Sequence, residues 1–355
     1  MSTRAPGLRV TGLETEFGVM CAPVGPSEET KADLPDVERA AALIFRHRPV
    51  GYRSTNLFLP NGGRLYLDIG AHPEYATAEC VRVRDLVAQD QAGRAILADM
   101  ARRAAARLAQ EGTAARFHLL ANNTDSAGHT YGCHESYSVP RSLLDVTDDA
   151  TRASSETTMA VLTSFLATRP VLVGSGRPLE SAAAGSDPDG LRSEDEEASW
   201  GLSPRAPHLK ALTSADTTGQ RALVNTRDEP HADPERWRRL HLVAGDANCF
   251  DTMNWLKLGM TSLVLQVLAD GVPASWRRLR LADPVAQARD VSRDIRLSGA
   301  LELADGRRLS ALEILEHYLQ TVRSHLKDHG RPAPAPQGDS LRPDLAVLAD
   351  GTDTG

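Results

Sequence analysis

Cysteine is sparse in this chain: Cys21, Cys80, Cys133 and Cys249 are scattered, with no CxxC pair. That pattern fits a reducing cytosol and excludes a zinc knuckle or a disulfide framework. A basic excess is also missing. The 40 Lys+Arg face 47 Asp+Glu, for a formal net charge of −7. Nucleic-acid binders usually carry a net basic footprint, so the balance speaks against that class. No apolar run nears the ~18–20 residues a membrane span needs. The opening MSTRAPGLRVTGLETEFG has no apolar h-region, so no secretory signal is expected. No GxGxxG follows a strand-like run and no GxxxxGK[ST] occurs, which removes the usual phosphate loops. What remains is a cytoplasmic, globular protein, with an enzyme the expected class. Its 355 residues, 41% of them hydrophobic, are ample for a sizeable core in one large or two ordinary domains.

Residues 8–20 alternate as a strand does, and 22–38, with three prolines, read as a loop. A short helix is expected over about 35–46, and strands over 63–69 and 73–80 around a turn at 70–72. The strongest helix pattern is 83–111, where Ile96, Met100, Ala104 and Leu108 recur every four residues and Gly112 ends the run. Strands are expected at 116–122 and 131–139, a helix at 151–167, and then an apolar strand, PVLVGSG. Residues 180–199 hold almost no large apolar side chain and read as a mobile acidic loop. Strands near 206–212, 221–226 and RRLHLVAG follow, then helices over about 250–270 and 309–328. The Pro-rich segment after 328 reads as a disordered tail, 329–355, beyond a catalytic domain of 1–328. Hairpin-like strand pairs with helices between them form an α+β pattern around a mostly antiparallel sheet.

Strand period two puts residues i and i+2 on one face. Glu14 and Glu16 then point one way, as do Arg64, Tyr66 and Asp68, with Glu74 after the turn. If these strands are neighbours, several carboxylates share a face with an arginine and a tyrosine. Clustered carboxylates repel, and a hard cation such as Mg²⁺ relieves this with oxygen ligands. Magnesium also binds substrate phosphates, which points to phosphoryl chemistry. An antiparallel sheet with one solvated face alternates in the same way, and for Glu14 and Glu16 alone that is the better reading. The company of Arg64, Tyr66, Asp68, His72 and Glu74 argues against it, since these are not the usual filler of a solvated strand.

Two further clusters stand out. In NNTDSAGHTYGCHESY (122–137) the turn residues serve the turn, while His134 and Glu135 on the returning strand are supporting polar groups. In NTRDEPHAD (225–233), Arg227 and His231 are candidates for an oxyanion, as Arg is the bidentate partner of carboxylate or phosphate. Arg205 and Lys210 add positive charge. The alternative for this segment is a surface loop before a helix cap at Asp233-Pro234-Glu235.

Four blocks together point to a family. GLETEFG (12–18), GGRLYLDIGAHPEYATAEC (62–80), NNTDSAGHTYGCHESY (122–137) and NTRDEPHADPERWRRLHLVAGDAN (225–248) closely resemble the Pup ligase/Pup deamidase family, whose members attach the small protein tag Pup to substrate lysines or remove it. The likeness runs from about residue 8 to about residue 325. It implies the glutamine synthetase-like carboxylate–amine ligase fold, a curved sheet carrying ATP and Mg²⁺ on one face with helices behind it. It implies Asp68 as the catalytic aspartate, and Glu14, Tyr66 and Glu74 in the metal and nucleotide site, with Glu16 beside them. It places Arg227 and His231, with Arg205, near the phosphates and the Pup carboxylate. The activity expected from it is ATP-dependent ligation of the C-terminal glutamate of Pup to a lysine through a γ-glutamyl phosphate.

The block DIGAHPEYATAEC looks more like the ligase branch. Family members continue past the ADGRRLSALEI-like helix into a small C-terminal domain, which this chain is expected to lack. Hydrolysis of the Pup–lysine isopeptide on the same scaffold is the alternative, and a non-catalytic Pup-binding regulator the weaker one.

Overall fold

The computed structural model describes residues 10–25, 34–49, 53–125, 128–145, 149–179, 199–216, 219–230 and 232–328. The acidic loop expected at 180–199 lies outside these residues apart from Ser199, as do the tail 329–355 and His231. The described chain forms two compact units, residues 10–137 and residues 138–328.

The first unit contains β1 (Thr11–Glu16), β2 (Gly18–Pro23), α1 (Val37–Phe45), β3 (Asn56–Phe58), β4 (Arg64–Asp68), β5 (His72–Ala76), α2 (Val83–Gln110), β6 (Ala115–Leu120) and the start of β7 (Cys133–Pro140). Its antiparallel strands run in the order β7-β1-β5-β4-β3. The 8–20 stretch is two strands rather than one. The chain bends at the buried Phe17, and β2 leaves the main sheet to pair with β6 from Gly18↔Leu120 to Pro23↔Ala115. Alternation alone does not reveal a bend of this kind, because the side-chain period continues through it.

The rear face of the sheet builds the core. Leu57, Leu65, Tyr75, Leu97, Met100 and Ala104 belong to one buried cluster with Phe17, Ile44 and Phe45. The helix α1 starts where the Asp36 carboxylate accepts from the Arg39 backbone N–H at 2.8 Å, an N-cap bond. Two polar devices fix the register of sheet on helix. The Thr15 hydroxyl donates to Asp90 Oδ1 at 2.8 Å, and Arg94 Nε donates to Asp90 Oδ2 at 2.9 Å, so β1 is tied to α2 in a dry interior. The Tyr75 hydroxyl donates to Gln89 Oε1 at 3.1 Å and accepts from Asn61 Nδ2 at 2.9 Å. Its ring lies against Gly93, where no other residue leaves it room: an added Cβ would stand 2.7 Å from Tyr75 Cε1.

The second unit contains α3 (Asp149–Thr168), α4 (Pro170–Val173), β8 (Arg177–Leu179), β9 (Ser199–Gly201), β10 (Ala211–Ser214), β11 (Ala222–Asn225), β12 (Trp237–Leu242), α5 (Asp251–Ala269), α6 (Ala274–Arg277), α7 (Pro284–Arg293), β13 (Ala300–Glu302), β14 (Arg308–Ser310) and α8 (Ala311–Asp328). Here β11 pairs parallel with β10 and antiparallel with β12. Three rings knit the helices: Tyr318 lies 4.6 Å from Trp276 and 5.3 Å from Phe165, and its hydroxyl donates to Val161 O at 2.8 Å.

Three expectations change in this unit. PVLVGSG is not a strand: Pro170–Val173 is a helical turn, since an apolar run this short carries no period and Pro at the first helical position suits a helix start. The strand expected near 206–212 begins only at Ala211, after a 3-10 turn over Ala206–His208 that contains Pro207. Residues 271–308, to which the sequence pattern assigns no element, form α6, α7 and the β13–β14 hairpin. On α5, Leu263, Val264 and Val267 are buried, while Leu256 and Met260 are only partly so. Lys257 is fully buried too, its Nζ donating to Asp246 O at 2.7 Å. Asp246 itself is buried, accepting from the Ser203 hydroxyl at 2.9 Å and the Ser175 N–H at 3.1 Å.

Candidate active site

Register decides which residues share a face. Tyr66 stands opposite Glu74, and Glu74 opposite Glu16, so one row across β4, β5 and β1 reads Tyr66–Glu74–Glu16. The next row reads Phe58–Arg64–Ala76–Glu14–His134. On the other side, Asp68 stands opposite His72, closing the β4–β5 hairpin. Directly paired residues project to one side of an antiparallel sheet, so the front face is polar. Thr15, Leu65 and Tyr75, one step out of phase, carry the rear.

The tight hairpin Ile69-Gly70-Ala71 sets Asp68 at the rim. Gly70 (φ 87°) and Ala71 (φ 60°) both take left-handed backbone. Glycine suits the first of these positions at no steric cost. Asp68 is exposed as a result, whereas Glu74 on the returning strand is 3% exposed.

One carboxylate oxygen each from Glu16, Asp68 and Glu74 falls within 4.8 Å of the others. This crowding has an electrostatic signature. Burial, and then the negative charges of Glu16 and Glu14, push the Glu74 carboxyl up to about 9, while a hydrogen bond from Tyr66 pulls the other way. Burial and the Glu74 charge likewise raise Tyr66 far above the ordinary phenol range. Three oxygen donors from three neighbouring strands, with one carboxyl driven towards its neutral form by the others, suit a hard divalent cation.

Histidines steady the flanks. His72 Nδ1 lies 3.5 Å from Glu16, and His134 Nδ1 lies 3.5 Å from Glu14. The Tyr131 ring packs on His72 at 4.6 Å, and Asp125 Oδ2 accepts from the Tyr131 hydroxyl at 3.3 Å. Gly132 makes room for both acid–histidine pairs. A Cβ there would stand 2.6 Å from His134 Nε2 and closer still to Glu16 Oε1.

The face therefore brings together Glu14, Glu16, Tyr66, Asp68 and Glu74 as the alternation predicts. His134 joins it, and Glu135 does not: it is buried on the rear side, accepting from the Tyr137 hydroxyl at 2.7 Å. Asn56 was not legible in the sequence. Its strand is three residues long, yet its Oδ1 accepts from Arg64 Nε at 2.9 Å. The one available signal was its offset of two from Phe58, too short a pattern to read.

The remaining candidates lie in the second unit. Arg227 is exposed just after β11, its backbone N–H donating to Asn225 Oδ1 at 2.8 Å. Asp228 beside it is engaged by Arg141 at 2.7 Å and by Arg238 at 3.9 Å. Arg205 is buried, and its Nη2 donates to Val243 O at 2.9 Å. His231 is outside the described residues.

Comparison with known proteins adds the relationship. The model of the family described as "Pup-ligase protein" matches residues 9–342. The Pup–protein ligase of Kineococcus radiotolerans is 42% identical over 326 residues, covering 92% of this chain and 65% of that protein. A crystal structure of the complex between Pup and its ligase PafA superposes with a TM-score of 0.78 at 33% identity, over 98% of this chain and 62% of that one. A PafA structure in complex with ADP gives 0.68 at 36% identity, over 93% and 66%. A bifunctional glutathione synthetase from Pasteurella multocida shares the fold alone, with a TM-score of 0.50 at 11% identity over 97% and 47%. The chain thus spans a little under two thirds of the length of the curated relatives it matches. These matches bear out the α+β class and the glutamine synthetase-like carboxylate–amine ligase fold. With its acidic sheet face, its fold and a family match over nearly its whole length, the chain belongs to the Pup-ligase family.

Proposed function

We propose that this chain carries the chemistry of a Pup–protein ligase, joining the side-chain carboxyl of the C-terminal glutamate of Pup to a substrate lysine at the expense of ATP. The observation that supports it best is the Glu16–Asp68–Glu74 convergence, within 4.8 Å, on a family scaffold whose relatives are named Pup–protein ligases. The one PafA structure holds Pup and the other holds ADP.

A carboxylate is a poor acyl donor to an amine. Transfer of the γ-phosphoryl group of ATP to the glutamate gives a γ-glutamyl phosphate. The lysine nitrogen then attacks its carbonyl carbon, and phosphate leaves as the isopeptide forms. Bound magnesium would supply charge neutralisation for the phosphate oxygens. Glu14, Glu16 and Glu74 are the side chains that would hold it, the last as a carboxylate once a cation replaces its proton. Tyr66 orients Glu74 through its hydrogen bond. Asp68, exposed at the hairpin rim, accepts the proton of the incoming ammonium and orients the amine. Arg227, exposed and unconstrained beyond its backbone, meets an oxyanion of the phosphates or of Pup, with His231 nearby in sequence. Arg205 is buried, so its part is to hold the segment after β12. Residues 1–328 serve as one catalytic domain in this reading. The site of action is the cytoplasm, consistent with four free cysteines.

A gel assay tests this. Purified protein receives Pup ending in glutamate and a lysine-bearing protein, with and without ATP and Mg²⁺. A parallel set receives a preformed Pup conjugate. New conjugate that requires ATP supports ligation. Loss of preformed conjugate without ATP overturns it in favour of hydrolysis. No reaction in either set, with Pup still bound, leaves the regulatory reading.

A further inference from the structure

The segment 226–236 joins β11 to β12 and carries Arg227. A connection of this length, with no helix or strand among its described residues, is costly to hold in one conformation. Its start is anchored on β11 and β10. Buried Asn225 accepts the Arg227 N–H on Oδ1 at 2.8 Å, and the Thr226 N–H donates to Ser214 O at 2.9 Å. Its far end is a turn on Asp233, whose carbonyl accepts from the N–H groups of Arg236 at 3.1 Å and Trp237 at 3.0 Å.

One residue ties these two ends to each other. Arg141 opens the 3-10 turn that follows β7. Its Nη2 donates to Asp228 Oδ2 at 2.7 Å, beside Arg227, and to Trp237 O at 3.2 Å, at the far end. Its Nε donates to Pro234 O, and its backbone N–H to Arg236 O at 2.9 Å. The planar guanidinium holds these partners in fixed directions, which a lysine cannot do. Arg238 reinforces the arrangement: Nη1 donates to Leu144 O at 2.7 Å, and Nε lies 3.9 Å from Asp228. The same contacts decide which arginine stays available. Asp228 is the carboxylate next to Arg227 in the chain and its simplest ion-pair partner. Arg141 and Arg238 take that charge instead. The exposed Arg227 guanidinium has no hydrogen-bond or ion-pair partner among the described residues. Arg227 is thus held through its backbone while its fork stays open, an arrangement that cuts the ordering cost of meeting a ligand.

We propose that Arg141 is a positioning residue for Arg227: it clamps both ends of segment 226–236 and withholds Asp228, so that the Arg227 guanidinium is set in place for the substrate oxyanion. The inference rests on the ligase reading and deepens it. Arg141 meets no substrate in this account and acts only through Arg227. Removing it frees the segment and releases Asp228 to pair with Arg227, and both effects withdraw the guanidinium from its ligand. Asp228→Asn is milder, because a neutral amide oxygen still accepts from Arg141 and no longer competes for Arg227.

The test is a double-mutant cycle on kcat/KM for Pup conjugation at saturating Mg²⁺–ATP, together with hydrogen exchange at the Arg227 amide. Wild type is compared with Arg141→Gln, Arg227→Gln and the double variant. Arg227→Gln should lower kcat/KM at least thirtyfold and Arg141→Gln at least fivefold. The double variant should match Arg227→Gln within twofold, since a positioning residue has nothing left to position. Exchange at Arg227 should quicken at least tenfold in Arg141→Gln. Should Arg141→Gln fold poorly, Asp228→Asn enters the same cycle with a smaller loss and the same absence of further effect beside Arg227→Gln. A fivefold loss that persists in the double variant would make Arg141 merely structural and overturn the proposal. So would wild-type kcat/KM in Arg141→Gln, or unaltered exchange at Arg227. If Arg227→Gln is as active as wild type, the proposal falls while the ligase reading stands. If wild type forms no conjugate, the ligase reading fails, and faster exchange at Arg227 in Arg141→Gln still supports the clamp.

Discussion

Gly93→Ala should destabilise the first unit, although helix propensity alone argues the opposite. Gly93 sits inside the 28-residue helix α2, where replacing Gly by Ala ordinarily gains about 0.8–1 kcal/mol. Here the new methyl would stand 2.7 Å from Tyr75 Cε1 and nearer to other atoms of that ring. Bringing that one contact out to 3.4 Å moves ring or helix by at least about 0.7 Å, the difference of those two distances. Tyr75 is 1% exposed and has no open side to move into. Overpacking of this kind costs about 1–3 kcal/mol. Displacing the hydroxyl from Asn61 and Gln89 adds about 0.5–1.5 kcal/mol for each bond weakened. After the propensity gain, the net expectation is a loss of about 1–5 kcal/mol. Urea denaturation measures it, with an unchanged slope showing that the cooperative unit is the same. The double mutant makes the test specific. In a Tyr75→Ala background the clash is gone, so Gly93→Ala should stabilise by about 0.5–1 kcal/mol, a reversal of sign. A Gly93→Ala single mutant as stable as wild type would refute the packing argument.

Three further outcomes are expected. Asp68→Asn, near-isosteric at an exposed rim, should abolish conjugate formation in the gel assay while leaving the urea midpoint within about 0.5 kcal/mol of wild type; near-wild-type activity would remove Asp68 from the chemistry. Gly132→Ala drives a methyl into the Glu16 and His134 side chains, so Mg²⁺-dependent activity should fall at least tenfold with the melting temperature little changed, and equal activity would show that these acids do not act from their present positions. His208 is held down to about 4, first by burial and then by Arg221, Arg177, Arg205 and Lys210. Its unfolded value is near 6.5, so between these values the unfolded chain binds more protons and stability falls as pH drops, levelling off below about 4. His208→Gln should flatten that part of the urea-midpoint profile, and an unaltered slope would show that another group sets it.

The front of the active face was legible because its information is local. Period two over RLYLD and over LETE places Arg64, Tyr66, Asp68, Glu14 and Glu16 without knowledge of their neighbours. The helix α2 was legible for the same reason, with Ile96, Met100, Ala104 and Leu108 recurring every four residues before Gly112. What depended on pairing was not legible. Asn56 belongs to the site only because β3 lies beside β4, and no three-residue strand advertises its neighbour. Period two sends the adjacent His134 and Glu135 to opposite sides, but only the pairing of Glu14 with His134 and Leu13 with Glu135 shows which of them shares the acidic face. The helical turn at Pro170–Val173 failed for a different reason: four apolar residues fit a strand and a helix equally until the chain around them is placed.

Behind this lies a division of labour between the two faces of one sheet. On the front, burial and then the charges of Glu16 and Glu14 drive the Glu74 carboxyl towards its neutral form, a cost that the Tyr66 hydrogen bond and the His72–Glu16 and His134–Glu14 pairs offset only in part. The opposing stability must come from the rear. It does so at alternate positions of the same strands: Thr15, between Glu14 and Glu16, is tied to Asp90, and Tyr75, next to Glu74, is seated on Gly93 and bonded to Gln89. Glu14, Glu16 and Glu74 are thus each flanked in sequence by a residue that holds them. Loosening the rear should therefore degrade the front before it unfolds the unit. Asp90→Asn separates the two effects. It keeps an acceptor for Thr15 but removes the charge that pairs with the partly exposed Arg94 across 2.9 Å, and losing a hydrogen bond to a charged group costs about 1.5–3 kcal/mol. At temperatures where this variant is still folded, the apparent Mg²⁺ requirement of the reaction should rise while the Pup peptide binds as before. A variant that loses stability yet keeps the wild-type Mg²⁺ requirement would show that the acids are held by the front face itself.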